Sequence, residues 1–223
     1  VSNQTRQGGN LVIISAGSLG REVLVWATQC IQAGAPWRVK GFLDSRADTL
    51  RGLPYDVPIL AAPEDYQPAD SDVFLCAIGD PAMKRRYAMR MEAKGGRFTR
   101  LIHPTALIGW NVEIGDGAII CPYTQLSCDL RLGRHVMLGT HSSAAHDTRV
   151  GDYSQISGAC QINGHATIGE GVFLGSSATL LPKSRVEDWA YVGAGSVVLR
   201  RVKARVKVFG NPAMPIGTVE SPE

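Results

Sequence analysis

The sequence predicts an α/β domain of Rossmann-like order followed by an all-β solenoid, and two observations carry that prediction. From residue 11 to about residue 100, apolar runs of strand length alternate with stretches whose apolar residues recur at helical spacing. Beyond residue 100 the helical period vanishes and an aliphatic residue returns at every sixth position. The expected organisation is a polar tail at 1–10, the α/β domain at 11–100, the solenoid at 101–215 and a second tail at 216–223.

The elements of the first half follow in order. The opening "VSNQTRQGGN" is polar and has no apolar core, so it reads as a trimmed or tag-like tail rather than a secretory signal. "LVIIS" is a short β-rich run, and "AGSLGREVLVWATQCIQAG" begins with a glycine turn and continues as a helix. "VKGFLD" and "DVFLCAIGD" read as buried strands. "PAMKRRYAMRMEAKGG" has Pro at its start and Gly at its end, the asymmetry expected of helix punctuation. This β-α-β-β-α order fits a small open sheet, mostly parallel and flanked by helices.

In the second half, every sixth residue from Ile108 to Val198 is Ile, Leu or Val, with Ala144 the one exception. The residue four places later is usually small or β-branched, as at Ala118, Thr124, Ser142, Thr148, Ser154, Ala166, Ala178, Ala190 and Ser196. Glycine often follows the aliphatic residue directly, as at Gly109, Gly115, Gly133, Gly151, Gly169 and Gly193. A period of six fits neither an α-helix nor a flat amphipathic strand. It fits a β-solenoid in which each hexad supplies one short strand and one corner of a prism. The aliphatic residue points inward, the small residue sits beside it, and glycine is expected to relieve the backbone at the turn.

Composition excludes several classes of function. The chain has 223 residues, 44% of them hydrophobic and 19% charged, with a net charge of +3. No apolar run is long enough to span a membrane. The charge is too small, and too little interleaved with aromatics, for a nucleic-acid surface; "LRRVKARVK" reads as a solvated face. The five cysteines are scattered and never spaced as CxxC, which suits reduced thiols in a cytoplasmic protein.

Chemistry concentrates in "GTHSSAAHDTRVGDY", where His141 and His146 stand five residues apart and Asp147 follows His146. One reading is a metal pair, with His135 in the adjacent coil or His103 as a further donor, since catalytic zinc needs three protein ligands and an open position. The other is a general base. Imidazole titrates near neutral pH and can accept the proton of an attacking nucleophile, and a carboxylate on its second nitrogen fixes the tautomer. Neighbouring residues of a strand face opposite ways, so Asp147 can orient His146 only at a corner.

The hexads resemble the left-handed parallel β-helix of hexapeptide-repeat acyltransferases. "SAGSLGREV", "GFLD" and "AIGDPAMKRR" ahead of "IHPTALIG", with "GNPAMPIG" near the end, are similar to sugar O/N-acetyltransferases of the sialic-acid-acetylase/PglD type. That resemblance implies a homotrimer that transfers acetyl from acetyl-CoA to the amine of a UDP-, dTDP- or GDP-linked amino-deoxy sugar, for surface glycan synthesis. It implies no metal. The segment "HDTRVGDY" matches the family's catalytic stretch, with His146 as base and Asp147 as its partner. Where family members often carry a second histidine nine residues on, this chain has Gln155, which can bond but not titrate.

By the family pattern Gln155, Gly164, Gly175 and Ala194 contact the coenzyme, Gly164 at the thioester carbonyl. Substrate contacts fall on Gly17, Ser18, Leu19, Gly20, Asp44, Ser45, Gly79 and His141. The turn before the first helix departs from the family's glycine pattern at Ser15 and Ser18 while keeping Gly17 and Gly20. Its backbone N–H groups can approach a phosphate at the helix N-terminus, and Asp44 at the end of a strand can accept from a ribose or base. The runner-up ligand for this domain is a nicotinamide cofactor, and His165 reads as a surface residue. Other readings are a sugar O-acetyltransferase, a non-catalytic sugar-nucleotide-binding scaffold, and a zinc enzyme resembling γ-class carbonic anhydrases. The last would want a third histidine near residue 105, where this chain has Thr105.

Overall fold

The computed structural model describes residues 8–220, so the outermost parts of both expected tails, 1–7 and 221–223, lie outside the described residues. The α/β half contains β1 (Gly9–Ile14), α1 (Ser18–Gln32), β2 (Trp37–Leu43), β3 (Ile59–Ala61), β4 (Asp72–Cys76), α2 (Pro81–Ala93) and β5 (Arg97–Phe98). All five strands are parallel, in the order β3-β2-β1-β4-β5. β1 and β4 are buried along nearly their whole length, which is why they read as continuous apolar runs. β3 and β5 are edge strands of three and two residues, too short to show a period. Strand β1 begins at Gly9, inside the span expected as a tail. Asp80 caps α2 by accepting from the Met83 N–H at 2.8 Å, with Pro81 as the first helical residue.

The solenoid is a three-faced prism. Strands ending at Ile120, Leu138, Ile156, Leu174 and Val192 stack on one face. Those ending at Ile108, Leu126, Ala144, Ile162, Leu180 and Val198 form the second. Those ending at Ile114, Leu132, Val150, Ile168, Val186 and Val202 form the third. These aliphatic residues fill the interior as one continuous core. The register extends one hexad before Ile108, because Ile102 pairs with Ile120. At the far end, Met214–Thr218 pairs antiparallel with Val206–Phe209, so chain expected as tail from residue 216 continues a strand.

Glycine's role differs from the expectation. The left-handed backbone conformation recurs at every sixth residue from Asn111 to Gly195, and most of these residues are not glycine: Tyr123, Asp129, His135, His141, Asp147, Tyr153 and His165 all have φ between 56° and 59°. Asn, Asp and His tolerate this region best among side-chain-bearing residues. The glycines that follow the aliphatic positions answer a different constraint, the closeness of the next coil. A Cβ on Gly115 would lie 2.5 Å from the Gly133 carbonyl carbon, and one on Gly151 2.5 Å from that of Gly169.

The α/β half packs on the first face of the prism. Leu101, Ile119 and Met137, which point outward from that face, join the core made by β1 and α1, including Leu11, Val23 and Ala27. The Cys30 thiol at the end of α1 donates to the Ile102 carbonyl at 3.5 Å. We call this the docked face. The second face carries Leu107, Gln125, Ser143, Gln161, Thr179 and Val197 outward and is neutral. The third carries Glu113, Arg131, Arg149, Thr167, Arg185 and Arg201 and is basic. No helix of the described residues is long and apolar enough to cross a membrane.

Candidate active site

His146 and Asp147 occupy the corner between the neutral and basic faces, after Ala144 and before Arg149. Asp147 takes φ +58°, and this left-handed step turns its side chain back toward its neighbour. Asp147 Oδ2 lies 2.8 Å from His146 Nδ1. The corner thus overcomes the strand alternation that would otherwise separate the two groups. With Nδ1 engaged, Nε2 is the nitrogen left to meet a substrate.

The next coil completes the corner. Coils repeat every 18 residues, the separation between the hydrogen-bonded Asn111 and Asp129, so Gly164 stacks over His146 and His165 over Asp147. A Cβ on Gly164 would stand 2.7 Å from His146 Cε1 and Nε2, so the imidazole lies in the space that the missing side chain leaves. His165 Nε2 is 3.7 Å from Asp147 Oδ2, and the two imidazole rings meet edge to face at 5.1 Å. Read as a surface residue, His165 is exposed, but it shares the carboxylate that orients His146. The signal was available: counting three hexads rather than one puts residue 165 above residue 147. One coil earlier, hydrogen bonds from Asn111 and Cys128 hold the Asp129 carboxyl below its usual range.

Several expected site residues lie elsewhere. His141 sits on the corner between the docked and neutral faces, stacked on Tyr123 at 5.1 Å. His135 sits on the third corner, buried between Phe98 and Tyr153 with Nε2 3.1 Å from Glu92. His103 is buried, its ring nitrogens engaged by Gln29 and Thr105. The five-residue spacing of His141 and His146 therefore separates them onto two corners instead of pairing them. Among the described residues the one set of metal-capable donors within reach of each other is His146, Asp147 and His165.

Gln155, expected at the coenzyme, points outward from the docked face and is buried at 6% exposure beneath α2. Its Oε1 accepts from Lys84 Nζ at 2.6 Å and its Nε2 lies 3.2 Å from Met137 Sδ. Both polar atoms are engaged within the chain. Lys84 is 1% exposed, and burial pushes its amine down to about 8. The run "MKRR" gave no hint of this, because helical phase alone cannot say which basic residue turns inward when three stand together. Gly175 and Ala194 meet at the corner between the docked and neutral faces, where a Gly175 Cβ would lie 2.5 Å from the Ala194 nitrogen.

In the α/β half, Gly17 is the N-cap of α1 and no side chain caps that helix. Gly20 is required by packing, since a Cβ there would fall 2.0 Å from the Ser15 carbonyl oxygen. Ser15 holds φ +82°, a position where glycine is the unstrained choice, and its hydroxyl accepts from the Gly17 N–H at 3.2 Å. Ser18 accepts from Arg21 at 3.1 Å. A cleft of about 290 Å³ opens at the C-terminal ends of the strands, lined by Ser15, Asp44, Ser45, Arg46, Ile78 and Tyr87. This is the place where open α/β sheets bind ligands. Asp44 is buried there, and its two oxygens accept from the Ala16 N–H at 3.0 Å and from the Arg46 N–H at 3.0 Å. Burial alone would raise its carboxyl, but these backbone hydrogen bonds prevail and hold it below the usual range. Leu19 and Gly79 adjoin each other, and Gly79 lines a second pocket of about 240 Å³ with Pro81, Phe173, Trp189 and Tyr191.

Comparison with known proteins agrees with this architecture. Residues 10–91 match the family model described as the PglD N-terminal domain. The chain is 28% identical over 202 residues to a GDP-perosamine N-acetyltransferase of Escherichia coli O157:H7, covering 89% of this chain and 81% of that protein. The acetyltransferase domain of PglB from Neisseria gonorrhoeae FA1090 superposes with a TM-score of 0.84 at 25% identity, over 93% of this chain and 99% of that one. PerB from Caulobacter crescentus, solved with CoA and GDP-perosamine, has the same fold, with a TM-score of 0.83 at 24% identity, covering 94% of this chain and 98% of that one. Residues 10–91 thus form a PglD-type N-terminal domain, and the chain as a whole is similar to sugar N-acetyltransferases in which such a domain is joined to a left-handed parallel β-helix.

Proposed function

We propose that the protein transfers acetyl from acetyl-CoA to the amine of a nucleotide-linked amino sugar, with His146 as general base. The observation that carries this reading is the 2.8 Å contact between His146 Nδ1 and Asp147 Oδ2 at an open corner. The amine nitrogen attacks the thioester carbonyl and a C–N bond forms. His146 Nε2 takes the amine proton, and Asp147 stabilises the resulting imidazolium. The C–S bond then breaks, and the imidazolium returns the proton to the departing thiolate. The Gly164 N–H, which has no acceptor among the described residues, is a donor suited to the carbonyl oxygen as negative charge develops there.

The arrangement of faces supports a homotrimer. The α/β half covers the docked face, while His146 stands on the opposite edge of the prism. Gly175 and Ala194, the proposed coenzyme contacts, stand on a third place, the edge between docked and neutral faces. A sugar nucleotide held by the cleft around Ser15 and Ser45, and by the N–H groups of Gly17, Ser18, Leu19 and Gly20, therefore meets His146 of another copy. Neutral faces turned toward a three-fold axis bring these edges together. The five unpaired cysteines fit a reducing, cytoplasmic setting, where sugar nucleotides for surface glycans are made.

The test is acetyl transfer to GDP-perosamine and to UDP- and dTDP-linked 4-amino sugars, with His146→Ala alongside the wild type. Loss of general-base catalysis lowers turnover by about 10²–10⁴-fold. A His146→Ala protein that assembles normally and turns over at the wild-type rate removes His146 from the mechanism.

A further inference from the structure

The basic face holds an arrangement that the solenoid itself does not require. Arg131 and Arg149 stand directly in register on adjacent parallel strands, both pointing outward. Neighbouring strands are about 4.8 Å apart, and like charges placed opposite one another at that spacing are destabilising. The fold does not demand arginine there, for the equivalent residue one strand further on is Thr167. Arg131 is partly answered by Glu113, 3.2 Å from its Nε. On the next rungs, Arg185 and Arg201 share Glu187. Arg149 has no ion-pair or side-chain hydrogen-bond partner among the described residues.

Arg131 and Arg149, with Glu113, line a groove of about 420 Å³ that crosses the basic face to Gly115, Gly133 and Gly151 on the corner away from His146, and Arg149 also lines the groove beyond. Close coil packing excludes side chains from those glycine positions. Arg149 follows His146 by three residues, which limits their Cα separation to about 11 Å. Paired guanidiniums offer a fork of donors that matches phosphate oxygens.

We propose that Arg149, with Arg131 beside it, binds the diphosphate of the nucleotide sugar whose amine His146 deprotonates. The inference rests on the acetyltransferase reading above and adds a charge-bearing site to it. Both co-substrates carry a diphosphate, but they place it differently. In the sugar nucleotide it lies one pyranose ring from the reacting amine, within reach of a residue adjoining the base. In the coenzyme it lies at the far end of the pantetheine arm from the reacting carbonyl. The catalytic corner and the arginine pair thus come from one copy, while the glycine turn that holds the same nucleotide comes from another.

The experiment is steady-state kinetics of Arg149→Gln and Arg149→Lys, with Arg185→Gln as a control on the same face and light scattering to check assembly. Inorganic diphosphate binding is measured in parallel by calorimetry. Arg149→Gln should raise KM for the sugar nucleotide by about ten-fold or more, leave KM for acetyl-CoA unchanged and weaken diphosphate binding. Arg149→Lys should recover part of the loss, and Arg185→Gln should change either KM by less than two-fold. A rise in KM for acetyl-CoA alone would assign the pair to the coenzyme and overturn the proposal, as would unchanged constants for both. If the wild type transfers no acetyl to any sugar nucleotide yet loses diphosphate binding on Arg149→Gln, the acetyltransferase reading fails and the anion site stands.

Discussion

Replacing Lys84 with Met should change how the protein's stability responds to pH. Lys84, on the inward side of α2, is 1% exposed and bonded to Gln155 at 2.6 Å, with the Cys76 and Cys121 thiols close enough to act on its charge. Burial lowers its amine from 10.5 to about 8, so the folded state binds this proton more weakly than the unfolded state does. The sign follows directly: the cost of the buried charge is full below about pH 8 and disappears as pH rises toward 10.5. The whole span is about 3 kcal/mol, and roughly 1 kcal/mol of it is recovered between about pH 7 and 9. For a chain of this size that corresponds to about 3 °C in Tm. His103 and His135, both lowered by burial, titrate below this window. From the upper end of it the raised thiols of Cys30, Cys76 and Cys160 act in the opposite direction in both proteins, because their unfolded forms ionise first. Thermal denaturation at fixed protein concentration, wild type against Lys84→Met, isolates the difference. The wild-type Tm should gain about 3 °C relative to the variant as pH rises from about 7 to 9. Parallel curves across that window would refute a buried, titrating Lys84. A second variant, Gln155→Leu, should enlarge the slope by removing the side-chain acceptor that, among the described residues, stabilises the ammonium.

Two further substitutions test geometry on either side of the molecule. Gly164→Ala places a methyl 2.7 Å from the His146 ring, and the exposed ring can rotate away. Stability should change by under ~0.5 kcal/mol, while turnover falls about 10-fold or more as the imidazole leaves its orienting carboxylate; unchanged turnover would show that ring position does not matter. Gly20→Ala instead meets the Ser15 backbone oxygen at 2.0 Å, which cannot rotate away. The cost should be about 1–3 kcal/mol in chemical denaturation, as for overpacking, with nucleotide-sugar binding weakened in step. A Gly20→Ala protein as stable as wild type would mean that the turn is softer than its packing implies.

The solenoid was legible because one constraint, an aliphatic residue pointing into a narrow interior, repeats without interruption from Ile108 to Val198. The α/β half was legible where burial is two-sided, at β1 and β4, and not at β3 or β5, whose few residues carry no pattern. Glycine misled for a physical reason. Its freedom at positive φ is the familiar explanation, but here residues such as Asp147 and His141 take the left-handed corners, and Gly115 and Gly151 answer the approach of the next coil. The site was read in part because sequence distance and spatial distance obey different periods in a three-faced prism. His141 and His146, five residues apart, stand on different corners, while Asp147 and His165, separated by a full coil, come within 3.7 Å. Adjacent hexads therefore describe a path around the molecule, and only residues three hexads apart describe a surface. The same rule aligns Arg131 with Arg149 into a paired charge. It also places Gln155 in the column of Leu101, Ile119 and Met137, the outward positions that the α/β half covers. In a solenoid, a side chain's chemistry is set first by its column and only then by its neighbours in sequence.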